Sequence, residues 1–176
     1  MAQLILTAVG PDRPGIVGEL TAQLHAAGGN ILDSRMVNLR GEFAMMILLE
    51  IPEASLSRLT ADLPAQGERM NLRLTATPQQ AVAKPVEGMR YRLKTYSMDQ
   101  PGIVARLTGV LRALGVNIEE LSARQDSAPF AGDPLFLTEM RLTIPRSVPL
   151  GKLRQELEAV GNELNCDVDL DPADSG

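Results

Sequence analysis

Aromatic residues are nearly missing from this sequence: no tryptophan, two tyrosines and three phenylalanines among 176 residues. The core must therefore rest on Leu, Ile, Val, Met and Ala, and no row of rings is available to stack nucleobases. Cys166 is the one cysteine, so no intrachain disulfide can form; this suits a reducing compartment, and the cytoplasm is expected. With one histidine beside it, soft ligands are too few for a transition-metal site built by one chain, and no metal is expected. Cys166 itself reads as a small buried hydrophobe. Basic runs are absent and the net charge is −5, with a pI near 4.9. Such a surface does not displace the counterions of nucleic acid, so no direct nucleic-acid binding is expected. No apolar run approaches a membrane span. The opening "MAQLILTAVG" has no basic region before its short apolar run, and reads as a strand instead of a signal peptide. No Ser-His-Asp set, Walker loop or GxGxxG occurs, so neither enzyme activity, nor a catalytic residue, nor a cofactor is expected.

What is present is one unit written twice. Residues 12 to 31, "DRPGIVGELTAQLHAAGGNI", align without gaps on 99 to 118, "DQPGIVARLTGVLRALGVNI", with twelve identities in twenty pairs. "FAMMILLEIP" (43 to 52) then aligns on "FLTEMRLTIP" (136 to 145), after about six extra residues in "DSAPFAGDP" that belong to a longer surface loop.

Each copy reads as strand, helix, strand, strand, helix, strand. "LILTAV" is a short strand. Ile16, Val17, Leu20, Leu24 and Ala27 share a helical face, and Gly28-Gly29 ends that helix. Two strands, "NILDSRMVNL" and "EFAMMILLEI", meet at an Arg40-Gly41 turn. Leu56, Leu59 and Leu63 mark a second helix, which Pro64 is expected to truncate or kink. "MNLRLTAT" (70 to 77) closes the copy. The second copy repeats the order, with Leu150, Leu153, Leu157 and Val160 on its second helix. The fold class is α+β: two ferredoxin-like βαββαβ domains, each an antiparallel sheet with two helices on one face. The expected boundaries are 1–78 and 89–172, joined by a linker at 79–88 and followed by a tail at 173–176.

The copies differ on the other sheet face. In the second, Arg90, Arg92 and Lys94 alternate with Tyr91, Leu93 and Thr95, and Glu139 and Arg141 alternate with Met140 and Leu142, so one face is wet. In the first, "FAMMILLEI" is apolar on both alternations until Glu50. Its outer face is expected to be covered, by the second copy, another chain or a partner.

The phrase "GPDRPGIV" and its echo "MDQPGIV" carry the candidate site. Pro14 fixes φ and loses its N–H harmlessly in a first helical turn. Gly15 lets another molecule approach the backbone. Asp12 can cap the helix or orient the loop. Exposed N–H groups and the positive end of the dipole attract carboxylates. Asn30 and Asn117, opening the next strand, offer both donor and acceptor, as an amino acid requires. The two cradles are not equal, since Gln100 replaces Arg13 and Val116 replaces Gly29. Asp33 and Arg35 share a strand face and can form an ion pair or meet a ligand's charged ends. His25 lies off the Leu20/Leu24 stripe, towards solvent.

"DRPGIV…GGNI" and "DQPGIV…GVNI" in this frame resemble ACT domains, regulatory modules that commonly bind amino acids between paired copies. "GPDRPGIV", "GGNILDSRM", "GEFAMMILL" and "NIEELSARQ" are similar, over nearly the whole chain, to the bacterial glycine cleavage system transcriptional repressor family. That resemblance implies an oligomeric regulator that binds a DNA-bound activator instead of DNA, with glycine or a similar small amino acid as signal. It implies a ligand set of Asp12, Arg13, Pro14, Gly15, Ile16 and Asn30, matched by Asp99, Pro101, Gly102, Ile103 and Asn117. A ligand-free interaction scaffold of the same fold is the alternative.

Overall fold

The computed structural model describes residues 1–79, 87–127 and 134–173. The chain divides into two compact units, Met1–Ala83 and Lys84–Gly176. The first runs β1 (Ala2–Pro11), α1 (Ile16–Ala26), β2 (Asn30–Leu39), β3 (Glu42–Ile51), α2 (Glu53–Met70) and β4 (Arg73–Pro78). The second repeats it as β5 (Gly88–Met98), α3 (Ile103–Ala113), β6 (Asn117–Ser127), β7 (Pro134–Pro145), α4 (Leu150–Leu164) and β8 (Cys166–Pro172). Both sheets are antiparallel, ordered β2-β3-β1-β4 and β6-β7-β5-β8. Of the expected linker, 80–86 lie outside the described residues, as do 128–133 of the extra loop and 174–176 of the tail.

Each sheet buries one face under its two helices. Leu4, Leu6 and Ala8 of β1 and Phe43, Met45, Ile47, Leu49 and Ile51 of β3 meet Ile16, Leu20 and Leu24 of α1 and Leu59, Leu63 and Met70 of α2. This is the period-two pattern of a strand closing on the period-3.6 stripe of a helix. The second core repeats it with Leu93, Met140, Leu142 and Ile144 against Leu107, Leu111, Leu153 and Leu157. Where the first core has Ala8 beside Met45, the second has Thr95 and Thr138, whose hydroxyls bond each other inside it. Pairing the hydroxyls removes the cost of burying them. Cys166 is buried, as its sequence context suggests.

Two expectations are corrected. Pro64 does not end α2, which continues through it to Met70. Pro64 faces solvent, so the carbonyl it leaves unpaired can be hydrated. The stripe of Leu59, Leu63, Gly67 and Met70 stays buried by keeping the helix whole. The last strand accordingly begins at Arg73 and not at 70, after Asn71 has closed α2 in the left-handed region at φ 55°. On the outer face of the first sheet Val9, Val37 and Met46 are 47%, 45% and 56% exposed.

Candidate functional site

β1 delivers the chain to Pro11, and the next residue, Asp12, is tied down twice. Its N–H donates to the Gly41 carbonyl (2.7 Å), and its Oδ2 accepts from Asn38 Nδ2 (2.5 Å). Asp12 therefore orients the loop and does not cap the helix. The residue ahead of α1 is Gly15, left-handed at φ 86°, and no side chain caps the first turn. Pro14 and Gly15 turn the chain away from the strand and leave the Asp12 carboxylate behind, facing β2. The second unit builds the same staple from different residues. Asp99 N–H donates to the Pro134 carbonyl (3.1 Å), and Gln125 Nε2 donates to Asp99 Oδ2 (2.5 Å). Pro101 precedes Gly102, left-handed at φ 93° before α3. Sequence reasoning misses Asn38 and Gln125. The available signal was an amide side chain 26 residues beyond the aspartate in both copies.

Both glycines leave the start of the helix open. A β-carbon on Gly15 would meet only Glu19 Oε1, at 3.8 Å, and one on Gly102 nothing within 4 Å. Ile16 and Ile103 bury their side chains in the two cores, so only their main chain can face a ligand.

The charges beside the two loops differ. Arg13 clamps Glu19 in a two-pronged pair, Nη1–Oε1 2.7 Å and Nη2–Oε2 2.6 Å. Hydrogen bonding to the guanidinium holds the Glu19 carboxyl below its ordinary range and raises Arg13 in turn. In the second unit Gln100 donates to the Leu164 carbonyl. Arg106, standing where Glu19 stands in the first, pairs with Glu163 on α4.

The asparagines are not brought to these loops. Asn38 lies opposite Phe43, and Phe43 opposite Gly10, at the loop end of the sheet; Asn30 lies opposite Glu50, and Glu50 opposite Gln3, at the other end. Their partners are seven residues apart on β3, about 24 Å, a bulge in β2 between Ile31 and Asp33 taking up the extra residue. Strand β2 starts where α1 finishes and runs back towards the loop, so its first residue is the most distant. Asn117 is placed likewise, opposite Thr143, and donates to Glu119 Oε1 (2.5 Å). Asp33 and Arg35 form an exposed ion pair at 2.5 Å.

Concave space lies between the helices. An open groove of about 580 Å³ separates α1 from α2 and is lined by Glu19, Gln23, Gln66 and Arg69. One of about 460 Å³ between α3 and α4 has Val110 and Val160. No group of three or more His, Cys, Asp or Glu among the described residues could hold a metal ion, and no described helix is long and apolar enough to cross a membrane.

The family model described as ACT domain matches residues 2–77. The glycine cleavage system transcriptional repressor of Escherichia coli (strain K12) is 28% identical over 163 residues, 93% of this chain and 86% of that protein. A solved structure of an unknown protein from Galdieria sulphuraria superposes with a TM-score of 0.79 at 30% identity, covering 98% of both chains. A candidate glycine cleavage system transcriptional repressor superposes with a TM-score of 0.74 at 23% identity, over 99% of this chain and 98% of that one. At that identity the likeness speaks for the fold.

Proposed function

Because this chain belongs to the ACT-domain proteins and carries the βαββαβ unit twice, we propose that it is a regulatory protein that senses a small amino acid, glycine foremost. Its output is a contact with a DNA-bound transcription regulator. Three things support this over an enzyme or a DNA binder: the Escherichia coli repressor that aligns over 93% of the chain, the net charge of −5, and the near absence of aromatic side chains. A single buried cysteine fits work in the cytoplasm.

The observation that carries the reading is the loop itself, built twice. An aspartate pins it to the neighbouring strand and a left-handed glycine leaves the first helical turn uncapped. Those N–H groups and the positive helix end suit a carboxylate. The ligand's amino group needs an acceptor, and Asn30 stands at the far end of β2. Strand β2 is the sheet's edge. The first unit of another copy of the chain, laid antiparallel along this edge and centred near Ser34, sets its own Asn30 beside Asn38 and the loop. The ligand then lies between paired units.

A thermal-unfolding panel against glycine and the other common amino acids tests this. Ligand at 100 times its dissociation constant adds about 2.7 kcal/mol. A shift with glycine or serine supports the sensing regulator; a shift with another amino acid keeps the sensor and replaces its signal. Silence across the panel favours a scaffold without a ligand. The Arg13–Glu19 clamp gives that second reading its one specific support, since it sets the chain's own carboxylate above Gly15.

A further inference from the structure

The two sheets turn different outer faces to solvent, and the difference is concentrated at the positions of Ile5, Met46, Leu48 and Val37, while Tyr96 and Leu137 keep the positions of Val9 and Ala44 apolar. Register places Ile5, Thr7 and Val9 of β1, Ala44, Met46 and Leu48 of β3, and Asp33, Arg35 and Val37 of β2 on the outer face of the first sheet. The equivalent residues in the second include Arg92 for Ile5, Glu139 for Met46, Arg141 for Leu48, Glu120 for Asp33 and Arg124 for Val37. Those charges satisfy one another across strands, Arg92 with Glu139 at 3.3 Å and Arg141 with Glu120 at 3.2 Å. The second sheet is built to be wet. The first leaves Val9, Val37 and Met46 about half exposed. A contiguous apolar face of this kind marks a contact surface.

We propose that this face pairs with the same face of a second copy of the chain, about a twofold axis crossing the strands at the level of Ser34, Ile47 and Leu6.

Charge complementarity selects a second copy as the occupant. Asp33 and Arg35 stand two residues apart on one face, either side of Ser34. The proposed axis sets Asp33 of each copy against Arg35 of the other, giving a cluster of alternating sign at the rim. The same operation puts Met46 against Leu48 and Ile5 against Thr7, whose hydroxyl bonds Thr75, so the centre is apolar save for that threonine. The extent is that of a weak association. Four strands at their usual spacing, about seven residues long, cover about 450 Å² per copy and about 900 Å² over two, just under the roughly 1,000 Å² of a specific stable interface, with Arg73, Thr75 and Thr77 of β4 forming a polar rim. This contact uses the face of the sheet and leaves the β2 edge free. It therefore stands or falls independently of the amino-acid reading.

The test is the mass of the full chain in solution, by sedimentation equilibrium across the micromolar range. Met46→Lys buries two unpaired ammonium groups in the apolar centre and should halve the wild-type particle mass. Its far-UV spectrum and melting midpoint should stay unchanged, because Met46 packs against nothing essential in the single chain. Asp33→Arg and Arg35→Asp, each alone, put like charges together and should weaken association about tenfold or more. Mixed in equal amounts, those two variants should associate again, since all-cationic and all-anionic rims then face each other. A wild-type mass of one chain, or a Met46→Lys variant that keeps the wild-type mass, overturns the proposal. Variants that stay apart on mixing overturn the self-paired arrangement.

Discussion

Gly15 sits at φ 86° with open space before it, so two substitutions can separate its backbone role from its place in a ligand site. An alanine there must take up the left-handed region, which costs about 1–2 kcal/mol. Asparagine tolerates that region, and the chain already uses it so at Asn71 and Asn165, φ 55° and 47°. Gly15→Ala should therefore lower the melting midpoint of the first unit by about 5–10 °C, and Gly15→Asn by a fraction of that. Both place side-chain atoms over the uncapped helix start, so both should lose the glycine stabilisation that the proposed function expects. Gly28→Ala carries the same backbone cost at φ 83° at the other end of α1, so its melting loss should match that of Gly15→Ala while the helix start stays open. Calorimetry with and without glycine reads all three. An alanine variant that melts with the wild type would falsify the left-handed assignment. Retention of the glycine shift by Gly15→Asn would remove this loop from the site.

Three further outcomes are expected. Gly67→Ala and Gly161→Ala should cost more than Gly15→Ala, because their β-carbons would lie 2.5 Å from the Leu72 carbonyl oxygen and 2.7 Å from that of Cys166; denaturant melts of each variant check this. Asp12→Ala should cost about 1 kcal/mol and Asn38→Ala more, because Asn38 Oδ1 also accepts from the Gly41 N–H (3.2 Å), with the double variant no worse than Asn38→Ala alone. The cycle at Asp99 and Gln125 should read the same, and additive losses would refute the staple. The Glu19 carboxyl titrates below its ordinary value in the folded chain. Its pairing with Arg13 therefore contributes above the unfolded carboxylate range and is lost as the pH falls through the lowered value. Carboxyl-carbon NMR should show that lowered titration, and Arg13→Gln should return it to the ordinary range.

Much of the fold is legible because its causes are local. Apolar residues at Ile16, Leu20 and Leu24 specify a helix wherever they sit, and Leu4, Leu6 and Ala8 specify a strand face. Their repetition in the second copy fixes the order of elements. Pro64 misleads for the converse reason. Its local effect is to break a helix, but the buried stripe from Leu59 to Met70 lies on the side away from it, and tertiary packing keeps the helix going.

The candidate site divides along the same line. The sequence by itself determined the two loops, since Pro14-Gly15 and Pro101-Gly102 are backbone devices whose geometry needs no distant partner. Only the tertiary structure decided what holds them. Asp12 chooses Asn38, not the helix beside it, because strand β2 returns its last residues to the loop. For the same reason Asn30, which the sequence sets near that loop, is carried to the far end of the sheet. The apolar outer alternation of β3 could be read directly, whereas its exposure could not. Side-chain period states which way a residue points, and what covers it is a property of the folded chain and its partners.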